Sequence, residues 1–385
     1  MIPYSRQEVS EEDIQAVCRV LRSDFLTQGP TIDVFERAFA GRHQVAHAVA
    51  VNNATSGLHI ACLALDVGAG SRVWTSPNSF VASANCALYC GATIDFVDID
   101  PRTRNMSLPA LEDKLLRAKN AGTLPQMVIP VDFAGLPCDL REIRELADHF
   151  GFKVLEDASH ATGASYLDRP TGSEYADATV FSFHAVKIVT TAEGGIVTTR
   201  DQRLADRLRA LRSHGVVRDS RQFERACEGA WYYEQQLLGF NFRMTDVQAA
   251  LGQSQLARLD EMHLRREMLA ERYDRLLEGL PVIRPPRLAD RKSSWHLYVI
   301  EVDETRTRCT RADVFDQLRK SGIGANVHYI PIHTQPFYAR LGFQRGDFPA
   351  CEHYYSRAIS IPLYPALRLD EQDWVVEVLS GALAS

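Results

Sequence analysis

From Ala46 to Thr199, short apolar runs rich in Val, Ile and Phe alternate with stretches whose apolar residues recur at helical spacing. Runs of this length bounded by turn residues read as strands, and the intervening 3.6-residue period reads as helices that cover them. The pattern predicts strands at His47–Asn52, Arg72–Thr75, Thr93–Asp98, Met127–Asp132, Lys153–Asp157, Ala178–Phe183 and Gly195–Thr199. Nearly continuous apolar runs belong to parallel sheets buried on both faces. A large α/β unit is therefore expected.

Past Met244 the period becomes purely helical. Thr245 with Gln248 three residues later forms a capping-box signature, so a helix should begin there and run to about Leu280, with Gly252 weakening its early turns. Pro281, Pro285 and Pro286 then break the chain, Trp295–Val302 reads as a strand, and Arg311–Lys320 reads as a helix. The expected organisation is an N-terminal arm and helix over 1–30, a large α/β domain over 31–245, and the long helix with a smaller α+β domain over 246–385. The 385 residues suit two to three domains at ~150 residues each. No internal repeat or low-complexity segment interrupts the pattern.

Charge narrows the partners. Lys and Arg total 43 against 49 Asp and Glu, a formal charge of -6, which gives no basic field for nucleic acid or anionic lipid. The first 24 residues carry Glu8, Glu11, Glu12 and Asp13 and no long apolar run, so a cytoplasmic protein without signal peptide or membrane span is expected. Of eight cysteines only Cys86 and Cys90 are close, at a spacing that fits one helical face. Buried reduced thiols are expected there, with no metal site and no disulfide framework.

Candidate chemistry gathers at predicted strand ends. Lys187 is the only lysine between Lys153 and Lys292 and lies between the strand end Phe181-Ser182-Phe183 and the turn Glu193-Gly194-Gly195. Held among apolar groups, its amine would lose its proton more easily and could condense with an aldehyde; the ordinary alternative is a surface lysine with a buried stem. Asp157 ends a strand run where open α/β sheets bind ligands, and could pair with a pyridinium nitrogen or simply cap a turn. Glu156 should point to the opposite face. Asn52-Asn53-Ala54-Thr55-Ser56-Gly57 joins a strand to a helix, offering amides, the helix dipole and the Thr55 hydroxyl to a phosphate, or plain N-capping. Phe80 could stack on a flat heteroaromatic ring, although alone it reads as core. His160 and His184 lack metal-site spacing and read equally as structural histidines. Neither G-x-G-x-x-G after the first strand nor G-x-x-x-x-G-K-[ST] occurs, so dinucleotide and P-loop chemistry lack their main signal.

Four motifs appear in a fixed order: Asn53-Ala54-Thr55-Ser56, Glu156-Asp157-Ala158-Ser159-His160, Phe181-Ser182-Phe183-His184-Ala185-Val186-Lys187, and Gly239-Phe240-Asn241-Phe242-Arg243-Met244-Thr245-Asp246. In this order they resemble the DegT-type, fold-type-I nucleotide-sugar aminotransferases, and the likeness runs from Pro3-Tyr4 to Ile361-Pro362-Leu363. Three further stretches, Thr190–Gly195, Trp231–Gln236 and Asn326–His333, resemble the branch that aminates C4 of a UDP-linked 4-keto-6-deoxy sugar toward pseudaminic acid.

The resemblance implies pyridoxal 5′-phosphate as cofactor, L-glutamate as amino donor, a UDP-sugar substrate, and a homodimer with shared active sites. It implies that Lys187 forms the Schiff base and moves the proton, Asp157 pairs with the ring nitrogen, His160 lies near the ring hydroxyl, and Phe80 stacks. Ala54, Thr55 and Ser182 would hold the phosphate, with Asn241 reaching it from the neighbouring subunit. Tyr4, Phe25, Thr27, His328 and Tyr329 would face the sugar nucleotide. Ala54 and Gly57 stand where many relatives carry Gly and Ala, a small-for-small exchange that should spare the anion site. Lys187 is retained where the family's sugar dehydratases carry histidine, which disfavours that branch. Two other readings stay open: amination of a differently configured UDP- or dTDP-linked keto sugar, and a non-catalytic regulator that keeps the fold.

Overall fold

The computed structural model describes residues 1–384. Its centre is a seven-stranded sheet of β1 (His47–Val51), β2 (Arg72–Thr75), β3 (Thr93–Phe96), β4 (Met127–Ile129), β5 (Lys153–Asp157), β6 (Ala178–Ser182) and β7 (Gly195–Thr199), in the spatial order β1-β7-β6-β5-β4-β2-β3. All seven expected strands are present. Those expected at Thr93–Asp98 and Met127–Asp132 end early, because the chain leaves the sheet to place Asp98 and Asp132 in side-chain hydrogen bonds.

Alternation along each strand sends neighbouring residues to opposite faces, and both faces are covered. Val49 and Val51 join Leu58 and Ile60 of α3 (Ala54–Ala64), while Ala48 and Ala50 join Phe35 and Phe39 of α2 (Pro30–Arg42). Further along, α5 (Leu108–Ala121) and α6 (Leu140–Phe150) cover Trp74, Val128 and Val154. Double-sided burial explains why the strands read as continuous apolar runs. The edge strand β3 is masked by Lys114 of α5, whose Nζ donates to the Phe96 carbonyl at 2.6 Å and pairs with Asp95 at 2.6 Å, which blocks further strand addition.

The sheet is mostly parallel, as expected of a fold-type-I large domain, with one exception. β7 runs antiparallel to both β6 and β1, so β6 and β7 need no crossover helix and are joined by a loop over 183–194 that carries Lys187. Gly195 opens β7 against the first turn of α3; a Cβ there would lie 2.7 Å from the Ala54 nitrogen. Glycine therefore lets the helix start sit directly on the strand.

The helix expected from Met244 to Leu280 is also two helices, α8 (Asp246–Ala257) and α9 (Leu259–Leu276). Thr245 and Gln248 form the capping box as read. The break falls at Arg258, which caps both helices and reaches back to Asp13 at 2.8 Å; no proline or glycine marks it. Gly252 allows a close approach, since a Cβ there would lie 2.8 Å from Phe35 and from Thr191. Beyond α9, β8 (Val282–Ile283), β9 (Tyr298–Val302) and β10 (Ala358–Ile361) form an antiparallel sheet packed by α10 (Arg311–Lys320) and α12 (Leu369–Leu383), with α11 (Pro349–Arg357) between them in the chain. The strand expected from Trp295 starts only at Tyr298, because Trp295 takes a φ of 50° and its amide bonds to Ser293 Oγ at 3.0 Å. Cys62, Cys86, Cys138, Cys309 and Cys351 are buried, whereas Cys18 and Cys90 are half-buried and Cys227 is exposed, so the thiols are not uniformly interior. Among the described residues, no helix is long and apolar enough to cross a membrane.

Candidate active site

The C-terminal ends of β1, β5 and β6 open into one cavity of about 830 Å³, completed by the 183–194 loop and the segment 326–329 from the small sheet side. Tyr4, Ala54, Thr55, Phe80, Asp157, His160, Ser182, Lys187, His328 and Tyr329 all line it. Residues separated by more than 300 positions in the chain thus meet at one point, as the strand-end reading anticipated.

Lys187 lies one turn past β6, its amide bonded to the His184 carbonyl at 2.9 Å. Burial pushes its amine down to about 8, and the opposing charge of Asp157 limits that fall. Asp157 is 4% exposed. Its Oδ2 accepts from Ser83 Oγ at 2.6 Å and its Oδ1 from the Ser159 amide at 3.1 Å. These two donors fix the position of the carboxylate at the cavity floor.

At the start of α3, Asn53 Oδ1 accepts from the Ser56 amide at 2.8 Å, which leaves the first-turn amides of Ala54 and Thr55 facing the cavity beside Ser182. Gly57 lies on the sheet side of that turn; a Cβ there would meet Val180 at 3.1 Å and Val51 and Val197 at 3.3 Å. Its smallness sets how deeply the helix start sits. Phe80 is 60% exposed, which excludes the core alternative and leaves its ring open to the cavity. Its ring stands at the cavity wall because no protein side chain covers it there.

His160 has a defined tautomer. Its Nδ1 accepts from the Ala134 amide at 3.2 Å, and burial, with the nearby Lys187 charge, holds the ring neutral. The remaining proton therefore sits on Nε2 and is donated to Tyr329 Oη at 3.0 Å. Tyr329, kept as a phenol by burial and by Asp157, is left with its own O–H to offer a ligand. His328 is likewise held neutral, pushed down to about 3 by burial and by Lys187, with Nδ1 2.7 Å from Ser360 Oγ. His184 instead stands at the mouth, half-exposed, 4.0 Å from Glu193.

Phe25, Thr27 and Asn241 do not reach the cavity within one chain. Thr27 bridges Thr245, Asn241 bridges Ser213, and Phe25 is exposed. Conversely, the cavity includes Ser79, Ser83, His296 and Asn326, which sequence reading missed. Ser83 is small, ordinary in a helix and 74 positions from Asp157, so nothing local could have singled it out. Ser83→Ala is expected to leave a buried carboxylate short of one donor, a cost of about 1–3 kcal/mol, and to lower turnover roughly 10-fold with little change in KM, read by steady-state kinetics.

The profile of the DegT/DnrJ/EryC1/StrS aminotransferase family matches residues 7–380. The chain belongs to that family. It is a sugar aminotransferase of fold type I that depends on pyridoxal 5′-phosphate. It is 41% identical over 381 residues to the Bacillus subtilis spore coat polysaccharide biosynthesis protein SpsC, covering 98% of this chain and 96% of that one. The structure superposes on Helicobacter pylori PseC, an aminotransferase involved in the biosynthesis of pseudoaminic acid, with a TM-score of 0.90 and 32% identity, covering 100% and 99% of the two chains. A sugar aminotransferase from Streptococcus pneumoniae in its PMP form gives a TM-score of 0.90 at 29% identity, covering 100% of this chain and 99% of that one. The donor set fits the cofactor: an amine of lowered proton affinity, a buried carboxylate with its own donors, and a helix start for the phosphate.

Proposed function

We propose that the chain moves an amino group from L-glutamate to C4 of a UDP-linked 4-keto-6-deoxy-N-acetylhexosamine in the making of pseudaminic acid, and works in the cytoplasm as a homodimer with shared active sites. The observation that carries this reading is the full-length likeness to PseC, joined to the three stretches around Thr190, Trp231 and Asn326. The neutral imidazoles and phenols of His160, His328 and Tyr329 suit a substrate whose reacting half is uncharged and rich in hydroxyls.

Bound pyridoxal phosphate supplies an electron sink and a carrier for the amino group. The chain's own groups do the rest. Lys187 would anchor the cofactor and, once released, its amine would take the proton from the donor's Cα and pass it to the carrier, then take one back and deliver it to the sugar carbon. Asp157, held by Ser83 and Ser159, would keep a proton on the ring nitrogen. The amides of Ala54 and Thr55 with Ser182 bind the phosphate at the positive end of α3. Phe80 would cover one ring face and exclude water, and His160 would stand beside the ring hydroxyl. Tyr4, His328 and Tyr329 face the sugar. Phe25, Thr27 and Asn241 are surface groups of one chain that act in the dimer, Asn241 at the partner's phosphate site.

The identity to SpsC favours a second reading, a differently configured UDP- or dTDP-keto sugar destined for a surface polysaccharide. Incubation with glutamate and a panel of keto sugar nucleotides, followed by identification of the product, separates the two. The first reading expects a 4-amino product from the UDP-linked 4-keto sugar; amination of dTDP-linked sugars alone contradicts it. Absence of any glutamate-driven turnover would favour the regulator. Gel filtration tests the dimer, and an active monomer would remove the role given to Asn241.

A further inference from the structure

A pair of buried carboxyl groups lies directly behind Asp157 and is not used by the chemistry above. Asp132 follows β4 and is 0% exposed; Glu156, in β5, is 1% exposed. Asp132 Oδ1 accepts from the Cys138 amide at 2.8 Å, and Glu156 Oε2 accepts from Thr179 Oγ1 of β6 at 2.6 Å. The other two oxygens, Asp132 Oδ2 and Glu156 Oε1, are buried without a well-formed hydrogen bond from elsewhere, although the Gly172 amide lies near Glu156 and the Cys138 thiol near Asp132. Because Val131 bridges Asp157, Asp132 stands on the Glu156 face and the two carboxyls interact. Two facing carboxylate oxygens repel unless a proton lies between them. One O–H···O bond therefore joins the pair.

Strand geometry shows what this bond holds. Glu156 stands opposite Thr179 and Asp157 opposite Val180 in the β5–β6 register, so Glu156 and Thr179 share one face while Asp157 and Ser182 share the other. The Asp132 amide also donates to the Asp157 carbonyl at 3.1 Å. We propose that Asp132 and Glu156, sharing one proton and braced by Thr179, are positioning residues that fasten the ends of β4, β5 and β6 and so set Asp157 and Ser182. The consequence for catalysis rests on the cofactor roles given above to those two residues; the fastening itself does not.

As pH rises Glu156 ionises first, while Asp132 keeps the proton that lies between them, and the buried negative charge this leaves beside Asp157 weakens the fold around the fastening. The charged and titratable groups around the pair are Cys138 and Asp139 after β4, Arg291, whose guanidinium grips Asp139 at 2.6 Å and the Pro137 carbonyl at 2.8 Å, and Asp157, which acts on Glu156 through the sheet from the opposite face. Burial raises both carboxyls, Glu156 from 4.5 to about 7. A carboxyl raised in the folded state stabilises the fold fully below its unfolded value, and that contribution is lost as pH rises through the folded value. For Glu156 the window runs from 4.5 to about 7.

Glu156→Gln replaces the titrating proton with an amide N–H that still reaches Asp132 and an oxygen that still accepts from Thr179. In cofactor-free protein, wild type should lose melting temperature between about pH 5 and about pH 8, and the loss should shrink by about half or more in Glu156→Gln and in Asp132→Asn. Equal slopes in wild type and in whichever of the two variants folds overturn the proposal. Infrared spectroscopy of wild type needs no variant. A C=O stretch from a buried protonated carboxyl at neutral pH is expected, and its absence equally overturns the proposal. In the loaded enzyme the alkaline fall of kcat should flatten in Glu156→Gln with KM unchanged. If the melting and infrared results hold while kcat does not respond, the roles assigned to Asp157 and Ser182 fail and the fastening stands.

Discussion

Lys187→Ala is expected to lower amino-transfer turnover by about 10⁴-fold or more, since the same amine both anchors the cofactor and moves the proton, and acid–base catalysis alone contributes ~10²–10⁴. The expected pH dependence carries a sign. Only the neutral amine condenses with an aldehyde, and burial pushes Lys187 down from 10.5 to about 8. Roughly one-tenth of the amine is then neutral at pH 7, where an ordinary lysine would offer well under one-thousandth. The rate at which cofactor-free protein captures pyridoxal phosphate should climb about tenfold per pH unit up to about 8 and then level off. An inflection near the ordinary lysine value would show that burial does not activate this amine.

Asp157→Asn is the second large effect. The amide keeps the size of the carboxylate but cannot hold a proton on the ring nitrogen, and turnover should fall by about 10²–10³, or ~3–4 kcal/mol in the barrier. Cofactor binding should largely persist, because the phosphate site at Ala54, Thr55 and Ser182 is separate. Asp157 raises the Lys187 amine against the pull of burial, so removing its charge should move the capture inflection below about 8. Unchanged turnover, or an inflection that moves upward, would contradict the arrangement.

What the sequence shows and hides follows from the range of the interactions involved. Strand positions were legible because burial on both faces writes a continuous apolar run. Asp157 was legible because it ends a run and Lys187 because it is isolated among apolar residues, whereas Ser182 was singled out only by the motif order. The antiparallel β7 was not, since strand direction is set by the covalent span of the 183–194 loop and leaves no mark on apolar content. The break at Arg258 was hidden for a similar reason: it depends on Asp13, 245 positions away, and no Pro or Gly announces it. Ser83 and Asp132 matter through partners distant in sequence, so their neighbours gave no hint. Phe80 taken alone left core and stacking both open, because composition cannot tell an aromatic ring buried by protein from one left open beside a cavity; the motif order favoured stacking.

The central claim is that one amine, that of Lys187, carries the cofactor. Borohydride reduction of the cofactor-loaded protein followed by peptide mass mapping tests it directly, and the isolation of Lys187 between Lys153 and Lys292 makes the assignment unambiguous. A phosphopyridoxyl mass on the peptide containing Lys187 is the predicted result. The label on any other lysine, or no label on protein that still aminates its sugar, would contradict the account.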